Sequence, residues 1–179
     1  MCAKAHLQIK KEHKNILTII IPRHISRIKK IYEEISSLNL KVSFYSNFES
    51  RDSSDADIIL VDTYGDSLKL YNITKYVFVG KSTIKSLEKD GGQNPIEPSI
   101  LGCKIFYGPY VSNFSEVYKY LESLGVANKI YNAEDLSKYL IDELKNDNAK
   151  DQNIIEKIKK FGENTLNNVI QEINIYINV

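Results

Sequence analysis

Short apolar runs alternate with longer amphipathic stretches along most of this chain. Ile16–Ile21, Val42–Tyr45, Ile58–Val61, Tyr76–Val79 and Lys104–Tyr107 read as strands, several of them apolar on both faces. Such runs suit a parallel sheet covered by helices. Between them, Arg27–Leu38, Ser67–Tyr71, Pro95–Leu101 and Phe114–Leu124 carry helical periodicity. The alternation predicts right-handed crossovers and an α/β fold, a doubly wound, mainly parallel sheet with helices on both faces. A further helix is predicted over Ala133–Leu144, ended by the polar break Asn146-Asp147-Asn148. Beyond it, Ile154, Ile155, Ile158, Phe161, Leu166, Val169, Ile170 and Ile173 form an apolar stripe on one long helix, with a kink expected at Gly162. Ala3–Lys14 also reads as a helix with no strand before it, which suggests a chain that starts partway through a larger architecture.

In doubly wound folds, ligands bind beyond the carboxyl ends of the strands. The loops that follow these predicted strands are the most distinctive in the chain. They are Pro22-Arg23-His24, Asp62-Thr63-Tyr64-Gly65-Asp66, Gly80-Lys81-Ser82 and Gly108-Pro109. Gly91-Gly92-Gln93-Asn94-Pro95-Ile96-Glu97-Pro98 stands out most. Its two glycines permit positive φ and a close approach of backbone to ligand. Asn94 is a good N-cap and Pro95 fits a first helical turn, so unpaired N–H groups there suit a phosphate or carboxylate. Glu97 suits the helix dipole and can also accept hydrogen bonds from sugar hydroxyls. The same segment also reads as a plain structural turn. Taken singly, Arg23 reads as a surface ion-pair partner and Asp66 as a helix N-terminal acid.

Composition narrows the classes. At 179 residues, 42% hydrophobic and 26% charged, the chain reads as one globular domain or slightly more. A net charge of +1 argues against a nucleic-acid binder held by bulk electrostatics. Ile16–Ile21 is too short to span a bilayer, and Met1-Cys2-Ala3-Lys4 lacks the apolar region of a secretory signal. Cys2 and Cys103 have no CxxC partner, and His6 and His13 are too far apart on one predicted helix to share a metal. No metal or other cofactor is expected. The lysines Lys157, Lys159 and Lys160 give the last helix some character of a membrane-surface element, although packing on its own domain is the simpler expectation.

Taken in order, the Pro22-Arg23-His24 loop with Arg27, Asp62-Thr63-Tyr64-Gly65-Asp66, the glycine motif, and Gly108-Pro109 with Asn113-Phe114 resemble one family. It is the 3-deoxy-D-manno-octulosonic acid (Kdo) transferases, GT-B glycosyltransferases that move Kdo from CMP-Kdo to a lipid A precursor. The resemblance runs from about Ile16 to about Ala133 and covers the carboxy-terminal, donor-binding half of the family. It implies a Rossmann-like domain over residues 1–150 lacking its first strand, with residues 151–179 as a helix packing on it. It further implies that no catalytic residue lies in this chain. The general base and the lipid A precursor would belong to an absent amino-terminal domain. The whole enzyme would work as a peripheral protein at the cytoplasmic face of the inner membrane, and this piece alone would be soluble.

Residue by residue, the resemblance sets Pro22 and Arg23, then Tyr64, Gly65 and Asp66, then Asn94, Pro95, Ile96 and Glu97 against CMP-Kdo. In that scheme Arg23 contacts the phosphate or sugar carboxylate, the amides from Asn94 to Ile96 hold the phosphate, Glu97 binds ribose and Tyr64-Gly65 flanks cytosine. The family usually has glutamate where Asp66 stands, histidine at Gln93 and glycine at Lys81. Two other readings stay open: a non-catalytic piece that acts only by assembling with an acceptor domain, and a GT-B domain for another nucleotide sugar.

Overall fold

A computed structural model of the protein describes residues 1–47, 55–146 and 151–177. The chain forms two compact units, Met1–Leu70 with Ile130–Asn148, and Tyr71–Lys129 with Ala149–Val179. Each holds a three-stranded parallel sheet flanked by helices, so the α/β expectation holds.

In the first unit, helix α1 (Cys2–Ile9) precedes β1 (Thr18–Ile20), α2 (Ile28–Ser36), β2 (Val42–Phe44) and β3 (Ile58–Leu60). β3 lies between the other two strands, with Ile58 opposite both Thr18 and Val42. Ile58, Ile59 and Leu60 are all buried, as a central parallel strand requires. Ala3, Ile35, Leu40 and Ile58 form the core on which Leu7, Ile20, Ile31, Leu38 and Val42 pack. α3 (Ser67–Ile73) then carries the chain into the second unit.

There β4 (Tyr76–Val79), α4 (Ile96–Ile100), β5 (Lys104–Tyr107), α5 (Ser115–Ser123) and β6 (Ala127–Lys129) make two strand–helix–strand crossovers. β5 is central, with Tyr76 opposite Lys104 and Ala127 opposite Ile105. Val79, Ile105, Tyr107, Tyr118 and Leu121 form its core with Ile158 of the final helix. α6 (Ala133–Asn146) belongs to the first unit and packs on α1, where Gln8 and Ser137 are hydrogen bonded. α7 (Gln152–Ile177) runs without a break through Gly162. Ile155 and Ile158 are buried and Phe161 stacks on Tyr120 at 4.2 Å, whereas Leu166, Ile170 and Ile173 are 59%, 45% and 48% exposed.

The predicted strands at 76–79 and 104–107 appear with those bounds, and the others are shorter by a residue or more. β6 was not expected, because Ala127-Asn128-Lys129 has no apolar run and gives the core only Ala127. The first helix stops at Ile9 rather than Lys14 and gives way to turns in which Glu12 and His13 donate to the Ile9 carbonyl. Beyond Asn146, the expected break at Asp147-Asn148 lies outside the described residues. Among the described residues, no helix is long and apolar enough to cross a membrane.

A polar node closes the amino ends of the first sheet. Asp57 accepts from the Lys41 amide at 3.0 Å and from the Lys10 ammonium, while its carbonyl accepts from the Thr18 amide at 3.1 Å. His6 is fully buried beside it, sharing a hydrogen bond with Thr18 Oγ1 at 2.9 Å and with Nε2 3.7 Å from Asp57. Burial pushes the His6 pKa below its ordinary 6.5, partly opposed by Asp57 and reinforced by Lys10. Burial acts to raise the Asp57 pKa, but its bonds from Lys10 and the Lys41 amide outweigh this and hold it below 3.8.

A neutral buried His6 means that the unfolded chain binds more protons below pH 6.5. The corresponding stability is therefore present above that pH and is lost as pH falls through the folded-state value. The urea midpoint is expected to be lower at pH 5 than at pH 7, and His6→Gln should shrink that difference. An unchanged difference in the variant would assign the pH dependence elsewhere.

Candidate functional site

The loops beyond β4 and β5 are joined by one buried hydroxyl. Ser82 Oγ donates to the Val79 carbonyl at 2.7 Å and accepts from the Gly108 amide at 2.8 Å. The Ser82 carbonyl accepts from the Tyr110 amide at 2.9 Å. Gly108 must be glycine for this, since a Cβ there would stand 2.3 Å from Ser82 O. The glycine motif is fastened to the same scaffold. The Gly92 amide donates to Lys81 O at 3.0 Å, the Asn113 amide to Gly91 O at 3.3 Å, and Tyr118 Oη to Gln93 O at 3.0 Å. Asn113 Nδ2 and Ser112 Oγ donate to the Asp90 and Glu88 carbonyls just upstream.

This geometry corrects one expectation. Gly92 does take positive φ, at 83°, but the room left by the glycine pair is filled by the protein itself. A Cβ on Gly91 would lie 2.3 Å from Tyr110 O, and one on Gly92 3.1 Å from Val111 Cα. Both glycines are buried. They set the height of the following turn rather than open a path to it.

That turn is shifted by one residue from the sequence expectation, since Pro95 rather than Asn94 takes the N-cap position and α4 starts at Ile96. Asn94 Oδ1 accepts from the Ile96 amide at 2.9 Å, Pro95 is helical at φ −89°, and Ser99 Oγ donates to Pro95 O at 2.6 Å. An anion at the Ile96 amide therefore has to replace the Asn94 oxygen, whereas the Asn94 NH2 group remains a donor. Glu97 is exposed in the first turn of α4. Among the described residues no cation pairs with it. Burial, then the Glu97 charge, raises the Tyr71 pKa, which sets Tyr71 near this carboxylate.

In the first unit, Pro22-Arg23 follows β1 and Tyr64-Gly65-Asp66 follows β3. These strands are neighbours, with Ile20 opposite Leu60, so both loops leave one sheet edge. Arg23 is exposed and Pro22 half-buried. Tyr64 is 78% exposed, and Gly65 adopts φ 84° with open space around it. Asp66 is engaged locally. Oδ2 accepts from Thr63 Oγ1 at 2.6 Å, Oδ1 from Lys69 at 2.8 Å, and its carbonyl from the Leu70 amide at 3.1 Å. The bonds from Lys69 and Thr63 hold its pKa below the usual carboxylate range. Asp62 accepts from both the amide and the hydroxyl of Ser46, at 2.9 and 2.6 Å, which ties the loop after β2 to the loop after β3.

No family model matches the chain. It is 32% identical over 133 residues, 74% of its length, to a 3-deoxy-D-manno-octulosonic acid transferase of Aquifex aeolicus. A Rickettsia typhi protein of the same name is 30% identical over 158 residues, 88% of this chain. The chain is a relative of the Kdo transferases. It also matches a bifunctional glycosyltransferase/methyltransferase of Fusobacterium nucleatum, at 31% identity over 96% of its own length. It spans only 35%, 32% and 26% of the Aquifex, Rickettsia and Fusobacterium proteins, respectively. Its fold is that of a Rossmann-like domain solved as the C-terminal CMP-Kdo binding domain of WaaA from Acinetobacter baumannii. The TM-score is 0.74 at 22% identity, covering 88% of this chain and 79% of that one.

The glycines in this Kdo transferase relative divide by what surrounds them. Gly108→Ala should lower unfolding stability by about 2–3 kcal/mol through overpacking against Ser82. Gly65→Ala meets nothing and should lose about 1 kcal/mol from the left-handed backbone alone. Urea unfolding of the two variants checks the order; equal losses would contradict the close approach at Gly108.

Proposed function

We propose that this chain is the donor-binding part of a Kdo transferase that takes Kdo from CMP-Kdo. The observation that carries this reading is the Gly91–Glu97 segment. It is fastened at the carboxyl ends of β4 and β5 and presents an amide donor and a carboxylate next to each other, in a chain related to enzymes of that name. In the second unit, Asn94 with the Ile96 amide receives the CMP phosphate, Pro95 fixes the turn, and Glu97 accepts hydrogen bonds from the ribose hydroxyls. In the first unit, Arg23 of the Pro22-Arg23 loop presents an exposed guanidinium suited to an anion. Tyr64, Gly65 and Asp66 form the neighbouring loop of that unit, with Asp66 holding it through Thr63 and Lys69.

The reaction requires an acceptor hydroxyl to attack the anomeric carbon of Kdo. The bond from that carbon to the phosphate oxygen breaks, and CMP leaves with the electron pair. The acceptor proton passes to a base outside this chain. The work done here is electrostatic: donors aimed at the phosphate stabilise the charge that grows as CMP departs. In the same reading the acceptor is a lipid A precursor, the whole enzyme sits at the cytoplasmic face of the inner membrane, and no metal ion takes part.

Calorimetric titration with CMP tests this. CMP should bind with a Kd on the order of 1 mM, more tightly than UMP and unaffected by EDTA. Glu97→Ala should weaken binding about tenfold, ~1.4 kcal/mol. No binding at millimolar CMP, or a Glu97→Ala variant that matches the parent, would sink the assignment. UMP binding as well as CMP would point to a different nucleotide sugar.

A further inference from the structure

Lys81 stands in the left-handed region at φ 60°, a conformation that side chains with a Cβ disfavour. Asn39, at φ 58°, is the other such non-glycine residue among the described positions. Its case is ordinary: an asparagine just past the end of α2, its amide donating to Ser36 O at 3.0 Å. Lys81 ends no helix. It follows β4, and its neighbours force its backbone: Ser82 is held by three hydrogen bonds, and the Lys81 carbonyl accepts from Gly92. Backbone strain of this kind persists where the surroundings over-determine it, commonly at ligand sites.

Three further observations say what the residue can do. Its carbonyl is 3.0 Å from the Gly92 amide, so the side chain starts beside the motif that leads into Asn94. Gly80, just before it, faces open space, and Lys81 itself is only half-buried. Among the described residues no carboxylate pairs with its ammonium. Electrostatics adds a reason for a cation here. A phosphate approaching Asn94 also approaches the Glu97 carboxylate, a like charge that a nearby cation offsets.

We propose that Lys81 is an anion-binding residue whose ammonium takes the phosphate of the nucleotide received by the Asn94–Glu97 turn. This rests on the nucleotide reading above. A lysine acts on phosphate as a mobile point charge, so it needs proximity more than a fixed orientation.

The test compares CMP with cytidine, which lacks the phosphate, on the parent chain, Lys81→Gly, Lys81→Met and Lys81→Arg. Lys81→Gly relieves the backbone and should melt no lower than the parent, yet bind CMP about tenfold more weakly at low salt. Lys81→Met keeps the stem and the strained backbone and should lose CMP affinity to the same extent. Lys81→Arg should retain it. Cytidine affinity should be alike in all four, and added salt should weaken CMP binding less in the two uncharged variants. Parent-like CMP affinity in Lys81→Gly and Lys81→Met overturns the proposal and leaves the nucleotide reading intact. Equal losses for CMP and cytidine also overturn it, since Lys81 would then only shape the loop. A parent chain that binds no CMP overturns both.

Discussion

Loops leaving neighbouring parallel strands make a site only if their backbones keep a fixed separation, and in the second unit Ser82 maintains it. Its hydroxyl is buried with both a donor and an acceptor role filled, on Val79 O and the Gly108 amide. A buried hydroxyl with no such partners would be strongly unfavourable, so the bonds hold the loops at one spacing. From that spacing follow the tight contact at Gly108, the bond from Tyr110, and the seat on which Gly91 and Gly92 rest. The Asn94 turn inherits its position from this chain of contacts and from Tyr118, whose hydroxyl holds the Gln93 carbonyl from α5.

The first unit uses charge for the same purpose at the opposite ends of its strands. Asp57 gathers the Lys10 ammonium and the Lys41 amide at the start of β3, and its carbonyl holds the start of β1. Beyond the carboxyl ends, Asp62 and Asp66 order the loops through Ser46, Thr63 and Lys69. Carboxylates that a first inspection would set aside for ligands are thus partly occupied with folding.

Much of the architecture was legible because burial on two faces leaves a plain mark. Lys104–Tyr107 is apolar enough to announce the central strand and Tyr76–Val79 its edge neighbour, and Asn94-Pro95 announces a helix start. β6 left no mark, since an edge strand of Ala127-Asn128-Lys129 needs only its backbone to pair. The glycine pair was legible as conformational freedom but not as to what fills the space, because that depends on Tyr110 and Val111, almost twenty positions away. Ser82 was unreadable for the same reason: its partner amide at Gly108 is 26 residues distant. Asp66 was legible in its modest role as a helix-start acid, and the structure gives that role its bonds.

Neither unit is a continuous stretch of sequence. The first is completed by α6, and the second by α7, which brings Ile154 and Ile158 to a core begun some eighty residues earlier. No single cut divides the chain into two self-sufficient pieces, and the second core cannot close until Ile154 and Ile158 have been made. The order of synthesis and the order of assembly are therefore different, and the second sheet has to wait, partly uncovered, for the last helix.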